Sequence, residues 1–361
     1  MRDFVHLHLH TEYSKLDGAC KIPDLIARTS ELGMTSLAIT DHGVMHGVYN
    51  FLDEVKSHNA QNPDKPIKPI VGCEAYTATG SRHEKDANGK AYHLVLLAKN
   101  HRGYQNLCKL VSLGYSEGFY KKPRIDMELL RQYSEGLIAS SACLAGAVPK
   151  AIMRNDFAAA RETIQQFKDI FGQDYYLEMM LHPPVPGEQS NRVIEPQAKV
   201  AAAIMRLARE TNTPLVITND VHFLREEDTK LHDLLLCIST GRKMSDPDRM
   251  RYTHQEYLKS PDQMYEVFAS QYPLIADHWA KLATLDPQAS GLAQSDTPDV
   301  LTEDEYLATV EQAMANTVAI AQSVEVYSLK HDPIMPEFDI PPDFQDENEY
   351  LRHLVYQGAH Q

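Results

Sequence analysis

After Phe4, the run Val5-His6-Leu7-His8-Leu9-His10 alternates strictly between aliphatic and imidazole side chains. In an extended strand successive side chains point to opposite faces, so the pattern predicts His6, His8 and His10 on one face and Val5, Leu7 and Leu9 on the other. Neutral imidazoles two residues apart can share a cation such as zinc, iron or manganese. Taken alone, the pattern fits equally well a polar edge strand with three solvated histidines. The rest of the chain decides between these readings.

Six further strand-like runs follow: Thr35–Thr40, Ile67–Tyr76, Tyr92–Ala98, Gly136–Ser141, Tyr175–Met180 and Pro214–Thr218. Helix-like stretches separate most of them, at Pro23–Gly33, Met45–His58, Arg102–Leu113, Phe157–Phe171 and Glu195–Thr211. Apolar runs such as Leu94–Ala98 suit parallel strands buried on both faces, so the alternation predicts an α/β fold. A barrel is favoured because polar groups recur at the strand ends, and on that scaffold the carboxyl ends converge on one rim. Beyond about Asp228 the pattern changes to helices and loops. Asp286–Pro298 reads as a linker or insertion, and Glu303–Ser323 as an amphipathic helix engaged in ordinary packing. The predicted division is a first domain over 1–285 and a second part over 286–361. A helix starting at Asn348 is expected to belong to a longer protein.

The chain has 361 residues, 43% of them hydrophobic and 24% charged, which is the composition of a globular protein. No apolar run reaches the ~20 residues of a membrane span, and Met1-Arg2-Asp3 leads into a strand, so no membrane association and a cytoplasmic location are expected. Five cysteines without close pairing argue against a disulfide framework. The net charge of −15 is wrong for a protein that grips duplex nucleic acid through a basic surface. If nucleic acid is the substrate, cations or a neighbouring domain must supply the positive charge. Lys and Arg are locally dense only around Lys121-Lys122-Pro123-Arg124, where Lys122 and Arg124 are candidate phosphate contacts, a solvated basic loop being the competing reading.

Nine ligand-type residues fall at or near strand ends: His8, His10, Asp17, His42, Glu74, His93, Cys143, Asp220 and His222. A catalytic ion takes about four protein ligands or fewer, so nine point to two or three ions, with a carboxylate such as Glu74 bridging. Singly, each residue has an ordinary structural explanation. Together, without cations, they would leave costly unpaired polar groups.

The same stretches carry a resemblance to a known family. Phe-Val-His-Leu-His-Leu-His-Thr-Glu-Tyr-Ser-x-Leu-Asp-Gly at 4–18, Leu-Ala-Ile-Thr-Asp-His-Gly at 37–43 and Pro-Ile-Val-Gly-Cys-Glu at 69–74 carry it first. His-Leu-Val-Leu-Leu-Ala-Lys-Asn at 93–100, Gly-Phe-Tyr-x-Lys-Pro-Arg-Ile-Asp at 118–126 and Thr-Asn-Asp-Val-His-Phe at 218–223 complete it. They resemble polymerase and histidinol phosphatase (PHP) domains, in particular those at the amino-terminal end of bacterial replicative DNA polymerase III alpha subunits. The resemblance implies a distorted seven-stranded (β/α) barrel followed by a mainly helical extension, with residues 286–361 leading into a polymerase palm.

It also implies one cation near His8, His10 and Asp220, a second near His93 and Cys143, and a third near Asp17, His42 and His222, with Glu74 bridging the first two. Cys143 stands where related phosphatases carry His. His6 lies outside the implied set as a support residue, and His46 is structural or substrate-facing. Asp17, Glu74 and Asp220 are the implied catalytic carboxylates, and the cations are zinc, manganese or iron. The implied activity is metal-dependent phosphodiester hydrolysis, a proofreading 3′→5′ exonuclease acting on the DNA primer 3′ end. The implied partners are the remaining alpha-subunit domains and replicase subunits such as the sliding clamp. Alternatives are a stand-alone small-molecule phosphatase and a non-catalytic metal-stabilised scaffold. The Asp cluster of a polymerase palm is not found in these residues, so nucleotide addition is not expected of this chain.

Overall fold

The computed structural model describes residues 2–85, 90–185, 193–286 and 300–360. Residues 287–298 of the expected linker and 86–89 of the loop before the fourth predicted strand lie outside that set. The strands are β1 (Ser36–Ile39), β2 (Lys68–Ala78), β3 (Ala91–Ala98), β4 (Phe119–Tyr120), β5 (Lys122–Ile125), β6 (Leu137–Ser140), β7 (Tyr175–Met180) and β8 (Leu215–Thr218). The helices are α1 (Ile22–Glu31), α2 (Val48–Gln61), α3 (His101–Ser116), α4 (Met127–Tyr133), α5 (Ala147–Met153), α6 (Phe157–Phe171), α7 (Ile194–Thr211), α8 (Thr229–Thr240), α9 (Pro261–Ala269), α10 (Tyr272–Leu285), α11 (Glu303–Ser323) and α12 (Glu347–Ala359). Side-chain caps mark several starts: Asn100 accepts from Gly103 N, Asp126 from Leu129 N, and Thr302 forms a capping box with Glu305.

The staves run in the order β1, β2, β3, β6, β7, β8. The ring closes through Phe4–His10, whose backbone bonds to both open edges. Ala38 N donates to His6 O at 3.0 Å and Thr40 N to Leu9 O at 2.8 Å on one side, and His10 N donates to Val221 O at 2.7 Å on the other. The result is a distorted barrel of seven staves. Phe4–His10 was expected to be a regular strand, but it pairs through a single bridge, Leu9 with Val221, and bends at His8. Both of its faces are buried, which excludes the solvated edge strand.

The expectation that Leu94–Ala98 lies in a parallel strand fails. β3 runs antiparallel to both β2 and β6, whereas β1–β2, β6–β7 and β7–β8 are parallel. An apolar run reads the same in either direction, so the sequence pattern could not show this. The reversal brings the start of β3, with His93 paired to Tyr76, to the rim where the other strands end.

Below the rim, each stave gives at least one residue to a single aliphatic cluster: Val5, Leu7, Ala38, Ile70, Val95, Leu97, Ile138 and Val216, with Tyr176 at its edge. Helix α11 closes this floor with Ile320 and Ala321, and Val324 follows. Thr317 Oγ1 accepts from Val5 N at 3.0 Å, and Asn316 Nδ2 donates to Leu215 O at 2.7 Å. The boundary expected after residue 285 is therefore displaced: the first compact unit is Met1–Tyr327 and includes α11, because the barrel needs that helix to cover its floor. The second unit, Ser328–Gln361, holds α12, where Phe344 packs against Tyr350 and His353. No described helix is long and apolar enough to cross a membrane.

Candidate metal centre at the barrel mouth

The nine ligand-type residues meet at one rim. Three groups form, in each of which one possible ligand atom per residue lies within 4.8 Å of the others: His8, His10 and Asp220; Glu74, His93 and Cys143; and His10, His42 and His222. Glu74 sits at their centre. Its carboxylate oxygens lie 3.3 Å from His8 Nε2, 2.6 Å from His93 Nδ1, 2.5 Å from His42 Nδ1 and 3.8 Å from His10 Nε2. Asp220 Oδ1 lies 3.2 Å from His8 Nε2 and 3.1 Å from His10 Nε2. Cys143 Sγ is 3.8 Å from His93 Nδ1. Asp17 joins through His42 Nε2 at 3.0 Å and lies 3.9 Å from His222 Nε2. In the third group His10 takes the place that the resemblance gave to Asp17.

The chain bends sharply to present these groups. Asp220 itself has φ 49°, and Leu16 before Asp17 and Ala142 before Cys143 have φ 63° and 58°. Left-handed backbone at non-glycine residues is disfavoured and persists where surrounding structure enforces it. Here β8 and the stretch 253–259 hold Asp220 and His222 from both sides. His222 N donates to Glu256 O at 2.7 Å, and Asn219 Nδ2 donates to the carbonyls of Gln255 and Tyr257, both at 2.8 Å.

The donor set fits divalent cations on an observation independent of family. His8 Nε2, His10 Nε2, His42 Nδ1, Glu74 Oε2 and Asp220 Oδ1 are buried atoms without a hydrogen-bond partner among the described residues, although they crowd together. Orphaned buried polar atoms are costly, and atoms that converge without hydrogen-bond directionality suit a shared cation. The other ring nitrogens of these histidines are well partnered. His8 Nδ1 meets Glu178 Oε1 at 2.7 Å, and His10 Nδ1 meets Ser14 Oγ at 3.0 Å. Ser14 Oγ donates to Asp41 Oδ1 at 2.7 Å, which fixes the row behind His10. Such outer partners set the tautomer and aim of a metal-binding imidazole.

Charge in the mouth is mutually held. Burial opposes ionisation of Glu74, yet His93 and His42 keep its carboxyl well below the usual range. Burial likewise opposes protonation of His42, but Glu74 and Asp17 push it up to about 10. His10 goes the other way, down to about 3, because it is buried beside His42 and His222. Burial pushes the Cys143 thiol well up, so cation binding there must displace a held proton.

Several residues at the site were missed in the sequence. Glu178, a lone carboxylate in the apolar strand β7, is 2% exposed and accepts from Thr218 Oγ1 at 2.5 Å as well as meeting His8. An acid inside an otherwise apolar and aromatic strand was the signal. Tyr252 donates its hydroxyl to Asp17 Oδ1 at 2.9 Å and lies 3.4 Å from His222 Nε2. Nothing in the local sequence marks it. His6 leaves the mouth, and its Nε2 meets Lys259 O at 2.9 Å. His46 is exposed on the loop before α2.

The two candidate phosphate contacts separate. Lys122 is exposed and its Nζ lies 3.4 Å from Tyr76 Oη, beside His93. Arg124 is not available: it is 3% exposed, and its guanidinium donates to the carbonyls of Gly118, Arg82 and Glu84. Its role is to tie the hairpin β4–β5 to the loop after β2.

The family model for the PHP domain matches residues 6–182. The chain is 38% identical over 360 residues to the DNA polymerase III subunit alpha of Borreliella burgdorferi, covering 98% of this chain and 26% of that protein. It is 34% identical over 376 residues to the corresponding subunit of Aquifex aeolicus, covering 100% of this chain and 28% of that protein. It thus spans about a quarter of the length of the curated relatives it matches. Residues 6–182 thus belong to the PHP domain family, and the chain as a whole is similar to DNA polymerase III alpha subunits.

Proposed function

We propose that the barrel mouth holds two or three divalent cations, of zinc, manganese or iron type, and hydrolyses phosphodiesters at the 3′ end of a DNA strand. The observation that carries the reading is the convergence of three ligand groups on Glu74, with five buried atoms left unpartnered. Cations bound there would supply the charge that acidifies water and stabilises phosphoryl and leaving-group oxygens. His8, His10 and Asp220 would hold one, Glu74, His93 and Cys143 a second, and His42 and His222 a third, with His10 on one side of them and Asp17 on the other.

The chain's own residues do the rest. Glu178 fixes His8 through Nδ1, so that Nε2 faces the mouth. Tyr252 fixes Asp17 by donating to its carboxylate. Glu74 and Asp220, held ionised, set the negative charge that cations neutralise. In the context of the relatives this activity would edit the primer strand, alongside further domains, replicase subunits such as a sliding clamp, and a cytoplasmic setting. Residues after Tyr327 would lead into a palm, and the chain by itself would not extend a primer.

The test is hydrolysis by the purified chain, with manganese or zinc, of a 3′-mismatched primer and of a small phosphate monoester. Release of 3′ nucleotides supports the reading. Turnover of the monoester alone would replace it with a small-molecule phosphatase, and cation binding without turnover of either would replace it with a metal-stabilised scaffold.

A further inference from the structure

We propose that the hairpin β4–β5 and the end of α3 form a base-stacking platform that delivers a single-stranded 3′ end to the mouth. This rests on the phosphodiesterase reading and names the form of its substrate. Tyr115 and Phe119 stack on each other with ring centroids 6.0 Å apart and planes 21° apart, and they are 44% and 52% exposed. Single exposed apolar side chains need no explanation. A stacked pair beside a catalytic rim, flanked by cations, is the arrangement that takes unpaired bases, because every base has a π-face and every linkage a charge.

The platform is physically continuous with the mouth. Phe119 pairs with Pro123, and Pro123 packs on Gly43, the residue after His42. Gly43 has φ +61°, and a Cβ there would meet Pro123 Cγ at 2.9 Å and the Tyr76 ring at 3.0 Å, so only glycine permits this close approach. Tyr76 in turn sits 5.1 Å from His93, ring to ring, with Lys122 Nζ 5.0 Å from its centroid.

Charge at the hairpin also fits a polyanion, despite the chain's net −15. The carboxylates at its base are drawn onto Arg82: Glu117 at 2.8 Å, Glu128 at 3.0 Å and Asp126 at 3.1 Å. Lys121 and Lys122 remain exposed on the outer side. Lys121 occupies the hairpin tip with φ 62°, where glycine would be the less strained choice. A cation is placed there in spite of the backbone.

The experiment is fluorescence anisotropy of the full chain with a 5′-fluorescein-labelled thymidine oligonucleotide whose 3′ linkages are phosphorothioate. An abasic strand of equal length is the comparison. The unaltered chain is expected to bind the thymidine strand about tenfold more tightly than the abasic one. Phe119→Ala should erase that preference while keeping abasic binding, and Phe119→Trp should retain it, which excludes a merely misfolded variant. Lys121→Gln should reduce the slope of log affinity against log salt by about one for both strands. Equal affinity for the two strands, or a preference that survives in Phe119→Ala, overturns the platform and leaves a surface that takes anions by charge alone. Base preference without hydrolysis of any 3′ end keeps the platform and removes the proposed reaction. Hydrolysis without base preference does the reverse.

Discussion

The two ends of one barrel follow opposite rules. At the floor, seven staves and α11 contribute only aliphatic and aromatic side chains to the interior cluster, and backbone groups are paired to α11. At the mouth, within a few residues along the same staves, buried histidines and acids crowd together and the backbone adopts left-handed angles at Leu16, Ala142 and Asp220. Burying apolar surface stabilises the first region. Burying charge costs free energy in the second, unless cations offset it. The floor therefore holds the fold, and the mouth is a strained site that the floor can carry.

The largest effect that would separate the two ends is expected from Glu74→Gln. On the proposed reading it removes the central ligand, and hydrolysis should fall by on the order of a thousandfold, the several kcal/mol of lost charge stabilisation. Melting measured without added metal should change little, because the desolvation cost removed with the charge offsets the lost pairs with His42 and His93. A strong loss of stability instead would mean that the mouth, too, holds the fold together.

Leu97→Ala at the floor should do the opposite. It opens a cavity and costs about 2–5 kcal/mol of unfolding free energy in denaturant titration, with turnover per folded molecule preserved. Next in size is Glu178→Gln, which should weaken cation affinity by roughly 10–100-fold in a competition titration, with little change in melting of the metal-free chain. Unchanged affinity would show that His8 is held without it.

The smallest effect belongs to His6, at the boundary between the regions. Burial lowers it to about 4 from an ordinary 6.5, so between these values the unfolded chain binds a proton that the folded chain does not. Its contribution to stability is intact above pH 6.5 and is lost as pH falls toward 4. Melting profiles against pH should therefore be shallower on the acid side for His6→Gln than for the unaltered chain. Parallel profiles would show that His6 does not titrate in this window.

Much of this was legible before any fold was known. Alternation of apolar runs with helical stretches gave the staves, and ligand-type residues at the run ends, from His8 to His222, marked one rim. Arg124 shows the limit of that reading: its sequence neighbourhood is a basic loop, and only the packing of β5 against the loop after β2 reveals that backbone carbonyls take its donors. Tyr252 escaped for the same reason, since it acts on a residue far away in the chain, whereas Glu178 stood out as an acid in an apolar strand without showing which histidine it meets.

Periodicity and residue chemistry are local, so the order of residues already tells which side chains could bind cations and roughly where each stave begins and ends. It takes the folded chain to show that β3 runs backwards and carries His93 to the rim, that Phe4–His10 closes the barrel, and that α11 belongs to the first unit. Those choices depend on which distant edges and faces are left to pair, and an isolated segment carries no record of its neighbours.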